Sequence, residues 1–127
     1  MANFCVITNN PLSAEKYPGV SVLLKTDVEG IFKVARDRIH LGALILGHPL
    51  SGSVKPNESP YKSLVLSQPG DGFDMQSLQL IEGALAVLYK LGVKNRAYPE
   101  RVLTDFRVID LDLLDSAIKG LPPVYHF

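Results

Sequence analysis

The first apolar run, Asn3 to Thr8 (NFCVIT), is short and nearly uninterrupted, and it stops at Asn9, Asn10 and Pro11. A run of this kind predicts a strand buried on both faces. Ser13 to Tyr17 predicts a short helix, and Val20 to Lys25 (VSVLLK) a second strand. Thr26 and Glu29 then stand at capping-box spacing, where each side chain satisfies a free N–H at a helix start. Val28, Ile31, Phe32, Ala35 and Ile39 follow at intervals of three and four, the apolar stripe of an amphipathic helix that ends at Gly42.

Ala43 to Leu46 (ALIL) is the most apolar strand candidate and is expected at the centre of a sheet. A long polar segment, His48 to Lys62, separates it from a further strand at Ser63 to Leu66 (SLVL). Asp74 predicts the N-cap of a long helix from Met75 to Leu91, with Leu78, Ile81, Leu85 and Leu88 in its stripe and Gly92 at its close. The final third reads two ways. Phe106 to Leu111 (FRVIDL) has strand composition, followed by a helix from Leu113 to Lys119; Val102, Phe106, Ile109, Leu113 and Ala117 also have the spacing of one continuous helix. The strand reading is preferred. Alternating β-branched runs and helical stretches predict an α/β fold, a three-layer Rossmann-like sandwich with a mostly parallel sheet of four to five strands.

Length fits a single domain over residues 1–127, and 46% hydrophobic residues supply a core without disulfides or metal. Thirteen basic residues balance thirteen acidic ones, so the basic excess of a phosphate-neutralising nucleic-acid binder is missing. No apolar run approaches the ~20 residues that cross a bilayer, and the first residues lack a signal-peptide pattern. The single cysteine, Cys5, predicts a reducing, cytoplasmic setting and a buried, unreactive thiol.

Candidate chemistry concentrates beyond strand ends, where open α/β sheets bind ligands. Thr8, Asn9 and Asn10 follow the first strand, and His48 to Lys62 follows the apolar one. Loops of this length without structure of their own are uncommon and usually functional. Pro49, Pro56 and Pro60 stiffen this one. Ser51, Gly52 and Ser53 can turn N–H groups and hydroxyls inward around an anion, and Lys55 and Lys62 can neutralise it, with Asn57 and Tyr61 as further contacts. His48 and Glu58 are the candidate catalytic acid–base pair, since a histidine exchanges protons near neutral pH. Ser53 as a nucleophile lacks the GxSxG elbow. Neither GxGxxG nor GxxxxGK[ST] occurs, so no nucleotide cofactor is predicted. His40, His48 and His126 lack metal-ligand spacing, so no metal is predicted either.

The segments TNNPL (Thr8 to Leu12) and HPLSGSVKPNESPYKS (His48 to Ser63), with the long helix starting near Asp74 and running through Ile81 and Glu82, resemble the GrdX family. Its members are small proteins encoded beside the glycine, sarcosine and betaine reductase genes of amino-acid-fermenting bacteria. The resemblance reaches to about Leu91 and is densest at His48, Ser51, Gly52, Ser53, Lys55, Pro56, Asn57, Glu58, Pro60 and Tyr61. It implies association with reductase systems and supplies no catalytic residues. Three functions follow as expectations. The first is an accessory protein holding a small anionic metabolite between Asn9/Asn10 and the long loop. The second is an enzyme using His48 and Glu58 on a small carboxylate or carbonyl substrate. The third is a docking protein for reductase subunits. The apolar tail, Pro122 to Phe127, is a candidate partner or homo-oligomer contact.

Overall fold

A computed structural model describes residues 3–50, 58–92 and 97–126. The elements run β1 (Phe4–Thr8), α1 (Pro11–Lys16), β2 (Ser21–Leu23), α2 (Val28–His40), β3 (Ser63–Ser67), α3 (Met75–Leu91) and α4 (Glu100–Lys119), followed by a 3-10 turn, Pro123–His126. Among the described residues the sheet has three strands in the order β2-β1-β3. β1 is central, parallel to β2 and antiparallel to β3, with Thr8 opposite Ser63 and Phe4 opposite Ser67.

Alternation along the strands separates two cores. Cys5, Ile7, Leu64 and Leu66 pack against Ile31, Phe32 and Ile39 of α2 and Ile81, Leu85 and Leu88 of α3. Phe4, Val6 and Val65 point the other way, onto Leu114 and Ile118 of α4 and Leu121 beyond it. All five β1 residues are buried, as the continuous apolar run predicts. Cys5 is buried, and burial pushes its thiol above the ordinary range, against the pull of Arg38.

The expected mostly parallel, Rossmann-like sheet of four to five strands is not what forms. Among the described residues three strands make a mixed sheet. β3 follows α2 in element order, by way of the Ala43 to Leu46 segment and the long polar segment, and it enters antiparallel to β1. Ala43 to Leu46, expected as the central strand, makes one antiparallel bridge, Ile45 to Leu66, at the outer edge of β3. Two backbone bonds hold it there: Leu46 N–H to the Val65 carbonyl (2.8 Å) and Ser67 N–H to the Leu44 carbonyl (2.9 Å). Gly42 (φ 97°) and Gly47 (φ 149°) turn the chain at either end and leave four residues between them. Gly42 also passes so close to Gly70 that a Cβ would fall 2.0 Å from the Gly70 carbonyl oxygen.

The strand expected at Phe106 to Leu111 is instead the middle of α4, a continuous helix of 20 residues. Its inward stripe is Asp110, Leu114 and Ile118. A carboxylate heads that stripe, which is why a purely apolar pattern hides it. Caps fix the other helices. Asp74 accepts from Ser77 N–H (2.9 Å) at α3, as expected. At α2 the cap is Asp27, which accepts from Gly30 N–H (2.9 Å), rather than Thr26. α1 starts earlier than expected, because Asn10 accepts from Leu12 N–H (3.1 Å) and Pro11 suits the first helical position. The tail folds back on its own domain: Asn3 N–H donates to the Tyr125 carbonyl (3.0 Å), and Tyr125 packs on the second core.

Candidate functional site

The antiparallel pairing of β1 with β3 sets the site. It places the end of β1 beside the start of β3, so Thr8, Asn9 and Asn10 meet the last residues of the long polar segment. The two stretches singled out in the sequence therefore share one end of the sheet.

Their polar side chains are engaged with each other. Asn9 clasps two stretches of backbone: its Nδ2 donates to the carbonyls of Thr26 (2.8 Å) and Pro60 (2.8 Å), and its Oδ1 accepts from Lys62 N–H (2.9 Å). Asn10, fully buried, donates from Nδ2 to the Arg107 carbonyl (2.8 Å) and to Asp110 Oδ2 (2.9 Å) while its Oδ1 caps α1. Thr8 Oγ1 lies 2.7 Å from Ser63 Oγ and accepts from Asn10 N–H (2.9 Å). These three residues brace the site; none of their amide hydrogens or oxygens is left facing open space.

Asp110 is the hub of this network, and in the sequence it stands only as part of the Phe106 to Leu111 run. Its carboxylate is buried and accepts from Ser63 N–H (3.0 Å), Ser63 Oγ (2.6 Å), Asn10 Nδ2 (2.9 Å) and Ser13 Oγ (3.4 Å). A buried carboxylate is tolerated when donors fill its lone pairs in this way. The clue available in the sequence is the charged residue four positions before Leu114 on the buried face of a helix.

A second brace holds the approach to β3. Arg107 donates to the Tyr61 hydroxyl (2.8 Å), sits 5.5 Å from the centre of its ring, and pairs with Glu100. Tyr98 donates to the Glu58 carbonyl (3.0 Å) and meets Phe106 edge-on. Tyr61 is thus a structural contact of α4.

Beside this network a small cleft opens between the Ile45–His48 segment, the start of β3 and α4. Its polar lining is His48, Lys62, Ser63 and Asp110; its apolar wall includes Leu46, Leu113 and Ala117. His48 is exposed, and its Nδ1 accepts from Leu50 N–H (3.1 Å). The neutral ring therefore carries its proton on Nε2, away from that bond. Lys62 is partly buried, and its ammonium has no hydrogen bond or ion pair among the described residues. Burial lowers its pKa below the ordinary lysine range, against the opposing charge of Asp110. Glu58 does not line the cleft. Ser51, Gly52, Ser53, Lys55 and Asn57 lie outside the described residues.

Among the described residues there is no group of three or more His, Cys, Asp or Glu side chains placed to hold a metal ion, and no helix is long and apolar enough to cross a membrane.

No curated protein and no solved structure matches the chain. One family model does: that of the GrdX-like proteins, aligned over residues 5–119. That span runs from the second residue of β1 to the last residue of α4, so it takes in every strand and helix that builds the cleft. The chain belongs to the GrdX-like family.

Proposed function

We propose that the protein binds a small organic anion in the cleft between His48, Lys62 and α4, as an accessory component of glycine-reductase-type amino-acid metabolism. Membership of the GrdX-like family supports the metabolic setting. The observation that carries the binding reading is Lys62: a partly buried cation that lines a cleft, feels the Asp110 charge, and yet has no hydrogen bond or ion pair among the described residues. A charge withdrawn from water without a partner costs stability, and an arriving carboxylate or phosphate supplies the missing counter-charge. The exposed His48 ring adds an Nε2–H donor at the same opening. The wall of Leu46, Leu113 and Ala117 suits a short apolar stem on the anion.

Thermal unfolding with a panel of small carboxylates, amino acids and phosphates tests this. A bound member at about 100 times its Kd raises stability by about 2.7 kcal/mol. Lys62→Met abolishes the rise while the variant remains folded. A flat panel for the unaltered protein removes the proposal and favours docking on reductase subunits.

A further inference from the structure

We propose that Lys62 is a covalent ligand-binding residue, whose ε-amine condenses with a small oxo acid in the cleft to form an imine. The inference rests on the anion-binding reading of the same cleft and adds a chemical class to it: short carboxylic acids that carry an aldehyde or ketone.

The geometry supplies three requirements. An amine that attacks a carbonyl needs its lone pair free of fixed partners, and no hydrogen bond or ion pair holds the Lys62 side chain among the described residues. It needs partial withdrawal from water beside an apolar surface, which Leu46, Leu113 and Ala117 provide along the same cleft. It needs a hydrogen-bond donor at the leaving oxygen, and His48 lines the cleft with Nδ1 tied to Leu50 N–H and its Nε2–H available. The lowering of the Lys62 pKa by burial enlarges the neutral, nucleophilic fraction. Asp110 is no competitor for the amine as a hydrogen-bond partner, because four donors from Asn10, Ser13 and Ser63 occupy its carboxylate.

The step balances without any redox partner. The amine lone pair forms a C–N bond to the carbonyl carbon, and a proton passes from nitrogen to oxygen to give a carbinolamine. The C–O bond then breaks, the oxygen leaves as water with a proton taken from solvent while the His48 Nε2–H hydrogen-bonds it, and the second nitrogen proton returns to solvent. One carbonyl compound and one amine give one imine and one water.

Glyoxylate, the smallest oxo acid, and glycolate, its analogue without a carbonyl, separate the two proposals. The full chain is incubated with glyoxylate and cyanoborohydride at neutral pH, and the modified lysines are located by peptide mass spectrometry. Lys62 is expected to carry the reduced adduct several-fold faster than the exposed Lys25 and Lys90 of the same chain. Lys62→Arg loses that adduct yet keeps a cation, so it keeps stabilisation by glycolate. Stabilisation by glycolate with Lys62 labelled no faster than Lys25 overturns the imine and leaves anion binding standing. Fast labelling of Lys62 without stabilisation by glycolate supports the imine and overturns the non-covalent reading. Absence of both overturns both.

Discussion

Asn10 Nδ2 and Asp110 Oδ2 lie 2.9 Å apart, though one hundred positions separate them in the chain. The bond joins the residue that caps α1 to the middle of α4, and its carboxylate end also holds Ser13 and the first residue of β3. A single buried charge thereby fixes two helices on one end of the sheet. Truncating it leaves donors from three residues without partners in a dry setting. Asp110→Ala is expected to destabilise the fold by about 3 kcal/mol, and Asp110→Asn by less, since an amide oxygen still accepts. Urea unfolding midpoints of the two variants check the order.

Lys62 predicts a pH dependence of opposite sense to that of an ion-paired lysine. Its folded pKa lies below the ordinary 10.5, so between the two values the unfolded chain binds a proton that the folded chain does not. The stability it contributes is present above 10.5 and lost as pH falls through the folded value. Lys62→Met, which removes the charge, is expected to melt higher than the unaltered protein at pH 7. The gap closes as pH rises toward 10.5. A more stable variant that no longer responds to anions is the signature of a residue kept for binding rather than for folding.

Tyr17 and Asp115 form a second pH-sensitive pair at the α1–α4 contact. The Tyr17 hydroxyl donates to Asp115 Oδ1 (2.5 Å), and Lys16 reaches Oδ2 (2.6 Å). Burial, then the Asp115 bond, pushes the Tyr17 pKa up from 10.0 to about 12. That stability is complete below pH 10 and is lost as pH rises through about 12. Tyr17→Phe is expected to cost about 1 kcal/mol at neutral pH. The cost shrinks above pH 10, as alkaline melting curves of the two proteins would record.

At the acid end Asp115 acts alone. Burial on its own would raise its carboxyl, but hydrogen bonds from Lys16 and Tyr17 outweigh it and hold the pKa below 3.8. The stability this brings is present above 3.8 and lost as pH falls through the depressed value. Asp115→Asn is expected to show a flatter acid limb than the unaltered protein when melting temperature is followed down from pH 5.

Asn9 is the fastener between the start of α2 and the approach to β3. Asn9→Ala leaves two carbonyls and the Lys62 N–H to find water, an expected loss of about 2 kcal/mol. Hydrogen exchange localises it: the amides of Tyr61 to Ser63 exchange faster, and those of α3 are unchanged.

What the sequence disclosed followed from regular patterns. Continuous apolar runs located β1 and β3, and i, i+3, i+4 stripes located α2 and α3. Sheet direction and the role of α4 escaped, because both depend on contacts across the chain. Nothing local in Ser63 to Ser67 says that it runs against β1, and a strand-like composition at Phe106 to Leu111 carried no sign that Asp110 faces inward. The site was legible as a place. Thr8 to Asn10 and the end of the long segment do meet, yet the asparagines turn out to brace backbone, and the side chain they leave open is Lys62.

The distance in sequence between β1 and α4 has a consequence for the birth of the chain. Phe4, Val6 and Val65 on one face of the sheet, and the hydroxyls of Thr8, Ser13 and Ser63, are covered only when Asp110, Leu114, Ile118 and Leu121 arrive. On the ribosome those residues are made after all three strands, so a nascent chain long enough to complete the sheet still presents a greasy, half-satisfied surface. Assembly of that second layer waits for α4, which makes the interval between the synthesis of β3 and that of α4 the one in which this protein most needs a chaperone's cover.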